Sequence, residues 1–140
     1  MALLRHTTRL ALRTPRRWLA AVPQTVPDDE FQKIKDELTS FMHDRIYPNE
    51  QLFLKQSHES RGTNGKEWTH PPLIVDLMQE AKERGLWNLF LPADSAQLAP
   101  KGTHLGRGLT NLQYADLCEL MGTSVHFEFA ATACNCASPD

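Results

Sequence analysis

The chain has 140 residues, 41% of them hydrophobic, which suits one domain with its own core, since domains commonly run about 100–150 residues. The formal net charge of −2 conceals an asymmetry: residues 1–27 carry five arginines and no acid, while residues 28–140 carry ten basic and seventeen acidic side chains, a net of −7. That acidic body is a poor match for nucleic acid, no apolar run approaches the roughly 20 residues of a membrane-spanning helix, and three cysteines (Cys118, Cys134, Cys136) without a secretory signal argue against a disulfide framework.

Residues 1–27 stand apart from the fold. On a helical wheel Arg5, Arg9, Arg13 and Arg16 share one face, and Leu3, Leu4, Leu10 and Ala11 fall largely on the other. Arg9, Arg13 and Pro15 interrupt the apolar stretch that a secretory signal needs. An Arg-rich, acid-free, hydroxyl-containing amphipathic leader predicts a mitochondrial transit peptide followed by a linker between Pro23 and Pro27, with the matrix as destination. A basic tail without an address is the alternative.

Asp28 and Asp29 then offer an N-cap, and their charge favours a helix start. Phe31, Ile34, Leu38, Phe41, Met42 and Ile46 recur at spacings that mark one helical face. Pro48 should bend or end this helix, with Leu52, Phe53 and Leu54 resuming it for a turn or two. Ser57 to Trp68 is polar and carries Gly62, Asn64 and Gly65, so it reads as a loop. Thr69 can cap a second helix with Pro71 or Pro72 in its first turn, burying Ile74, Leu77, Met78 and Ala81. Gly85 occupies the place of a left-handed C-cap. Leu86 to Leu91 is an apolar run that periodicity cannot assign, closed by Pro92. Ala93 to Gly108 is a long loop, either an insertion or a functional lid. Thr110 and Gln113 form a capping box for a third helix. Leu112, Ala115, Leu117, Cys118, Leu120 and Met121 make that helix apolar over more than half its circumference, which predicts a central position, and Gly122 closes it. Val125 to Ala133 begins a fourth helix. No convincing strand alternation and no internal repeat occur, so the fold class is all-α.

Few constellations carry chemistry. Glu119 and Glu128 lie near apolar positions, but nothing pairs them with a pocket, and a solvated or salt-bridged helix face is the ordinary reading. His126 with Cys134 and Cys136 is one Cys-x-Cys and one distant His, without the paired spacings of structural zinc, so no metal site is assigned. Gly102, Gly106 and Gly108 do not form a dinucleotide cradle, which needs a preceding strand. Trp68, Trp87 and Phe90 suit a core better than a stacking platform.

The order of these segments carries more than any one of them. Gly85-Leu86-Trp87-Asn88-Leu89-Phe90-Leu91-Pro92 resembles the segment after the second helix of acyl-CoA dehydrogenases. Gly106-Arg107-Gly108-Leu109-Thr110 is similar to their Gly-Gly-x-Gly-Leu-Ser/Thr turn, with Arg107 where a second glycine is common. Asn111 to Gly122 resembles the helix ending in their Glu-x-(aromatic or apolar)-Gly-Arg pattern, with Thr123 in place of the usual Arg. Cys134 to Asp140 resembles an Asn-Cys-Ser-Ala-Pro-Asp segment of a subgroup whose longer members carry a kinase-like domain ahead of the dehydrogenase. Here the basic leader runs directly into the first helix, so no such domain is expected before it. The insertion at Asp94–His104 departs from the family pattern.

The resemblance covers about residues 30–140. It implies that residues 28–140 form the N-terminal helical domain of an acyl-CoA dehydrogenase, a partial helical bundle truncated at its C-terminal end. Enzymes of this family remove a proton from the carbon next to the thioester and pass a hydride from the following carbon to FAD. The resemblance places the catalytic Glu and the flavin contacts in later domains, so no catalytic and no cofactor-binding residue is assigned here, and the 140 residues alone are expected neither to hold FAD tightly nor to turn over substrate. It offers Phe127, Phe129 and Asn135 as substrate-lining positions on the floor of the acyl pocket, with simple helix packing as the plainer role. Acyl-CoA as substrate, an electron-transfer flavoprotein as electron acceptor and homo-oligomers of the full-length enzyme follow from the same likeness. An acyl-CoA oxidase shares the helical start. The reading from a different class is a complete short helical interaction protein of mitochondria, without catalytic activity, whose exposed apolar surface meets a partner.

Overall fold

A computed structural model describes residues 26–60, 69–92 and 106–135, apart from the side chain of Phe127. The basic leader, Trp68, Gly102, Cys136 and most of the Ala93–Gly108 loop lie outside the described residues. Those residues form helices joined by turns, and no strand occurs among them. The first helix, α1, spans Asp28–Phe41. Its N-cap is Pro27 rather than an aspartate: the Pro27 carbonyl accepts from Phe31 N at 2.8 Å, and Asp28, Asp29 and Glu30 fill the first turn. There the acids act through the helix dipole instead of by capping. Ile34, Leu38, Phe41, Met42 and Ile46 are buried, as their spacing requires, and Phe31 packs against them from the rim.

Pro48 does not end the helical path, which changes pitch around it. The chain widens into a π-helical turn over Met42–Ile46, tightens into a 3₁₀ turn over Tyr47–Asn49, and continues as α2, Glu50–Ser60. Proline lacks the N–H that would reach back four residues and its ring crowds the preceding turn, so the ladder changes pitch there. Asn49 donates to the Arg45 carbonyl at 2.7 Å across the irregular stretch. The helix then runs on through Ser57–Ser60, which composition suggests is loop. Those four residues are polar but contain no breaker, and the neighbouring Gln56 Oε1 accepts from Leu73 N at 3.0 Å, tying α2 to the next helix.

Helix α3 covers Pro72–Glu83 and buries Ile74, Leu77 and Ala81, with Met78 half-buried. Thr69 is exposed and does not cap it; Pro71 is the N-cap residue and Pro72 the first helical residue, where a missing N–H costs nothing. Gly85 closes the helix at φ +71°, with Leu86 N donating to Ala81 O and Gly85 N to Lys82 O at 2.8 and 3.2 Å. These are the two bonds of a Schellman cap. Leu86 to Leu91 is neither helix nor strand but a succession of turns that buries Leu86 and Leu89.

Helix α4, Asn111–Met121, starts with the capping box: Gln113 N donates to Thr110 Oγ1 at 3.2 Å and Thr110 N to Gln113 Oε1 at 3.0 Å. The helix is not central. Only Leu117 and Met121 are buried, Ala115 is exposed and Leu112 is 83% exposed. Its apolar residues spread around the axis, and only one stripe meets α1 and α5. The inner place belongs to α5, Phe127–Ala133, where Phe129, Ala130, Ala131 and Ala133 are buried against α3 and the π-helical turn. Alanines let a short helix approach its neighbours closely, so seven residues suffice. A ring stack with centroids 4.4 Å apart joins Phe129 to Phe53 of α2.

Candidate functional site

The apolar run from Leu86 to Leu91 is the place where three parts of the chain meet. Asn88 adopts φ +59°, a left-handed conformation that asparagine tolerates better than most residues, and is buried. Its backbone N–H donates to Cys134 O at 3.1 Å, at the end of α5, and its own carbonyl accepts from Leu91 N at 3.0 Å. Gly106 rests against the same carbonyl: a Cβ built there would lie 2.1 Å from Asn88 O and 3.0 Å from Leu91 O. Only a residue without a side chain fits. Asn135, also left-handed at φ +52°, donates from Nδ2 to Asn88 Oδ1. The turn after α3, the turn before α4 and the end of α5 are thus fastened at one residue.

The positions offered as substrate-lining separate. Phe129 has no exposed surface and belongs to the core through its stack on Phe53. Asn135 is half-buried and sits at the junction. Phe127 begins α5, and its side chain lies outside what is described. Asn88 and Gly106 emerge as organising residues that periodicity does not reveal; the signal for each lies in its backbone, an asparagine between apolar residues and a glycine ahead of a helix cap.

The remaining candidates fall elsewhere. Glu119 and Glu128 are exposed on α4 and α5. His126 lies tilted against Phe53 at 6.2 Å between ring centroids, and Cys134 is buried. Among the described residues no three His, Cys, Asp or Glu side chains come together as metal ligands would. Trp87 is half-buried beneath the Lys82 ammonium, 4.3 Å from its ring centroid, and Phe90 is half-buried.

A shallow groove of about 100 Å³ runs between α1 and the α3 cap, lined by Lys33, Ile34, Glu37, Arg84, Gly85, Leu86 and Arg107. Its arginines are paired: Arg84 with Glu37 and Glu80 at 3.3 and 2.7 Å, and Arg107 with Glu30 at 3.3 Å. Sites for cofactors usually begin at about 300 Å³. The groove therefore does not fit a flavin dinucleotide.

Against known sequences, the chain is 39% identical over 109 residues to acyl-CoA dehydrogenase family member 10 of Mus musculus, covering 78% of this chain and 9% of that protein. It is 36% identical over 131 residues to the probable acyl-CoA dehydrogenase IBR3 of Arabidopsis thaliana, covering 82% and 15% respectively. To the probable acyl-CoA dehydrogenase FadE2 of Mycobacterium tuberculosis it is 39% identical over 106 residues, covering 76% and 22%. The chain thus spans less than a quarter of the length of each of these relatives. No protein-family model matches it, and no solved structure does. Over the stretch it shares with these proteins, the chain belongs to the acyl-CoA dehydrogenase family.

Proposed function

We propose that this chain is the N-terminal helical part of an FAD-dependent acyl-CoA dehydrogenase of the mitochondrial matrix, acting on fatty acyl-CoA thioesters. The observation that carries the reading is the identity to several proteins named acyl-CoA dehydrogenase over some four-fifths of the chain. The arginine-rich, acid-free leader supports the matrix address. The role of these residues is architectural: they bring the α3 turn and the end of α5 to one junction, and Asn135 there is the position offered to substrate. The carboxylate base and the flavin site belong to other parts of the full-length enzyme, which passes its electrons to an electron-transfer flavoprotein and works as a homo-oligomer.

The test is to express the full-length protein carrying this chain and mix it anaerobically with acyl-CoAs of increasing chain length. Bleaching of the flavin absorbance and formation of the enoyl-CoA are expected. A protein that purifies without flavin and leaves every acyl-CoA unchanged overturns the reading. Rapid reoxidation of the reduced flavin by oxygen would move the assignment to an oxidase.

A further inference from the structure

Val26 belongs to the fold although it precedes the first helix. Its side chain is 9% exposed and joins the hydrophobic core. Its carbonyl accepts from Gln113 Nε2 at 2.8 Å, and Oε1 of the same carboxamide caps α4 by accepting from Thr110 N at 3.0 Å. One residue on, the Pro27 carbonyl accepts from Phe31 N and starts α1. Glu30, in that first turn, pairs with Arg107 ahead of α4. Consecutive carbonyls therefore tie the entry of α1, Val26 to α4 and Pro27 to α1 itself. Burial and backbone hydrogen bonding of this kind, rather than position in the sequence, decide how far a terminus can be cut back. Upstream, the five arginines of the leader all lie at or before Arg17, and the eight residues Trp18 to Thr25 carry no charge.

We propose that the leader is removed by hydrolysis of one peptide bond between Arg17 and Val26, which leaves Val26 in the mature protein as the anchor of its N-terminus. Water adds across that bond. The carbonyl carbon leaves as the carboxylate of the arginine-bearing peptide, and the nitrogen becomes the α-ammonium of the mature chain. A matrix endoprotease supplies the catalysis. A cut beyond Val26 would discard a core side chain and the acceptor of Gln113, whereas a cut in the uncharged segment removes every leader arginine and leaves both contacts in place. This rests on the matrix reading.

The experiment imports the full-length protein carrying this chain into isolated mitochondria and reads the mature N-terminus by mass spectrometry. A first residue from Trp18 to Val26 is expected. A start at Pro27 or later, a start at Arg17 or earlier, or an imported protein still beginning at Met1 overturns the proposal while the matrix reading stands. No import at all rejects the matrix reading and the proposal with it. The anchor is read on full-length protein produced with defined starts. A chain begun at Val26 should melt as one begun at Trp18 does, and one begun at Asp28 about 2–4 °C lower. Equal melting of the Val26 and Asp28 starts also overturns the proposal. If the Asp28 start fails to fold, Val26→Ala at full chain length carries the same comparison, with a lowered melting temperature expected and an unchanged one overturning the anchor.

Discussion

Two glycines set the geometry around the junction, for different reasons. Gly85 is needed for its φ of +71°, where a Cβ would also press on the Arg107 guanidinium at 2.9 Å, the flexible end of a side chain that can move. Gly85→Ala is therefore expected to cost about 1–2 kcal/mol, the usual penalty of a left-handed alanine. Gly106 is needed for space, because its neighbour at 2.1 Å is the backbone carbonyl of Asn88, which cannot swing aside. Gly106→Ala should cost about 3 kcal/mol or more, since two packed turns must separate. Urea denaturation of both variants checks the order; equal losses would show that the turns are free to part. The first glycine is legible in sequence, because a C-cap follows a helical stripe at a fixed offset. The second is not, because the carbonyl it meets lies 18 positions away in the chain.

A helix end is legible where its whole signal lies within one turn. The Thr110–Gln113 box is local, involving two side chains and two backbone groups within one turn, and it forms as the residues require. Thr110→Ala should cost about 1 kcal/mol. Gln113→Ala should cost at least as much, because Gln113 Nε2 also donates to Val26 O at 2.8 Å and holds the entry to α1. Thermal melts of the two single variants test that ranking. The central place expected for α4 depended instead on which apolar side chains find partners, and that is settled by topology. Six apolar residues around the axis look like a core helix, yet only Leu117 and Met121 are enclosed. The short α5 took the centre because alanines at positions 130, 131 and 133 admit close neighbours and Phe129 stacks on Phe53. Phe129→Ala is expected to cost about 3–5 kcal/mol, far more than Leu112→Ala, whose side chain is 83% exposed. The junction itself was hidden for the same reason: Asn88 and Asn135 are 47 residues apart, and only the packing of α5 on α3 brings them together.

At the scale of the molecule, the helices leave large apolar side chains in water. Leu112 and Val125 are 83% and 80% exposed, and Val75 and Leu52 are 53% and 43% exposed. Scattered single residues of this kind are ordinary on a soluble protein, and a joined patch is not. If these positions meet the rest of a dehydrogenase, residues 28–140 alone should associate as concentration rises, and sedimentation should show it. Leu112→Glu with Val125→Ser should then reduce association while leaving the melting temperature unchanged, because neither side chain contributes to the core. The same isolated chain should carry no flavin absorbance and consume no acyl-CoA. A monomer that stays soluble and melts cooperatively without substitution would favour the interaction-protein reading instead. The leader can be judged separately by fusing residues 1–27 to a fluorescent protein. Import into mitochondria with cleavage ahead of Asp28 is expected, since Arg5, Arg9, Arg13 and Arg16 share one face of a helical wheel and Leu3, Leu4, Leu10 and Ala11 fall largely on the other. Replacing Arg5, Arg9, Arg13, Arg16 and Arg17 with glutamine keeps the apolar face and removes the arginine charge. Import that persists in that variant would assign the address to another part of the protein and leave the leader as a basic tail.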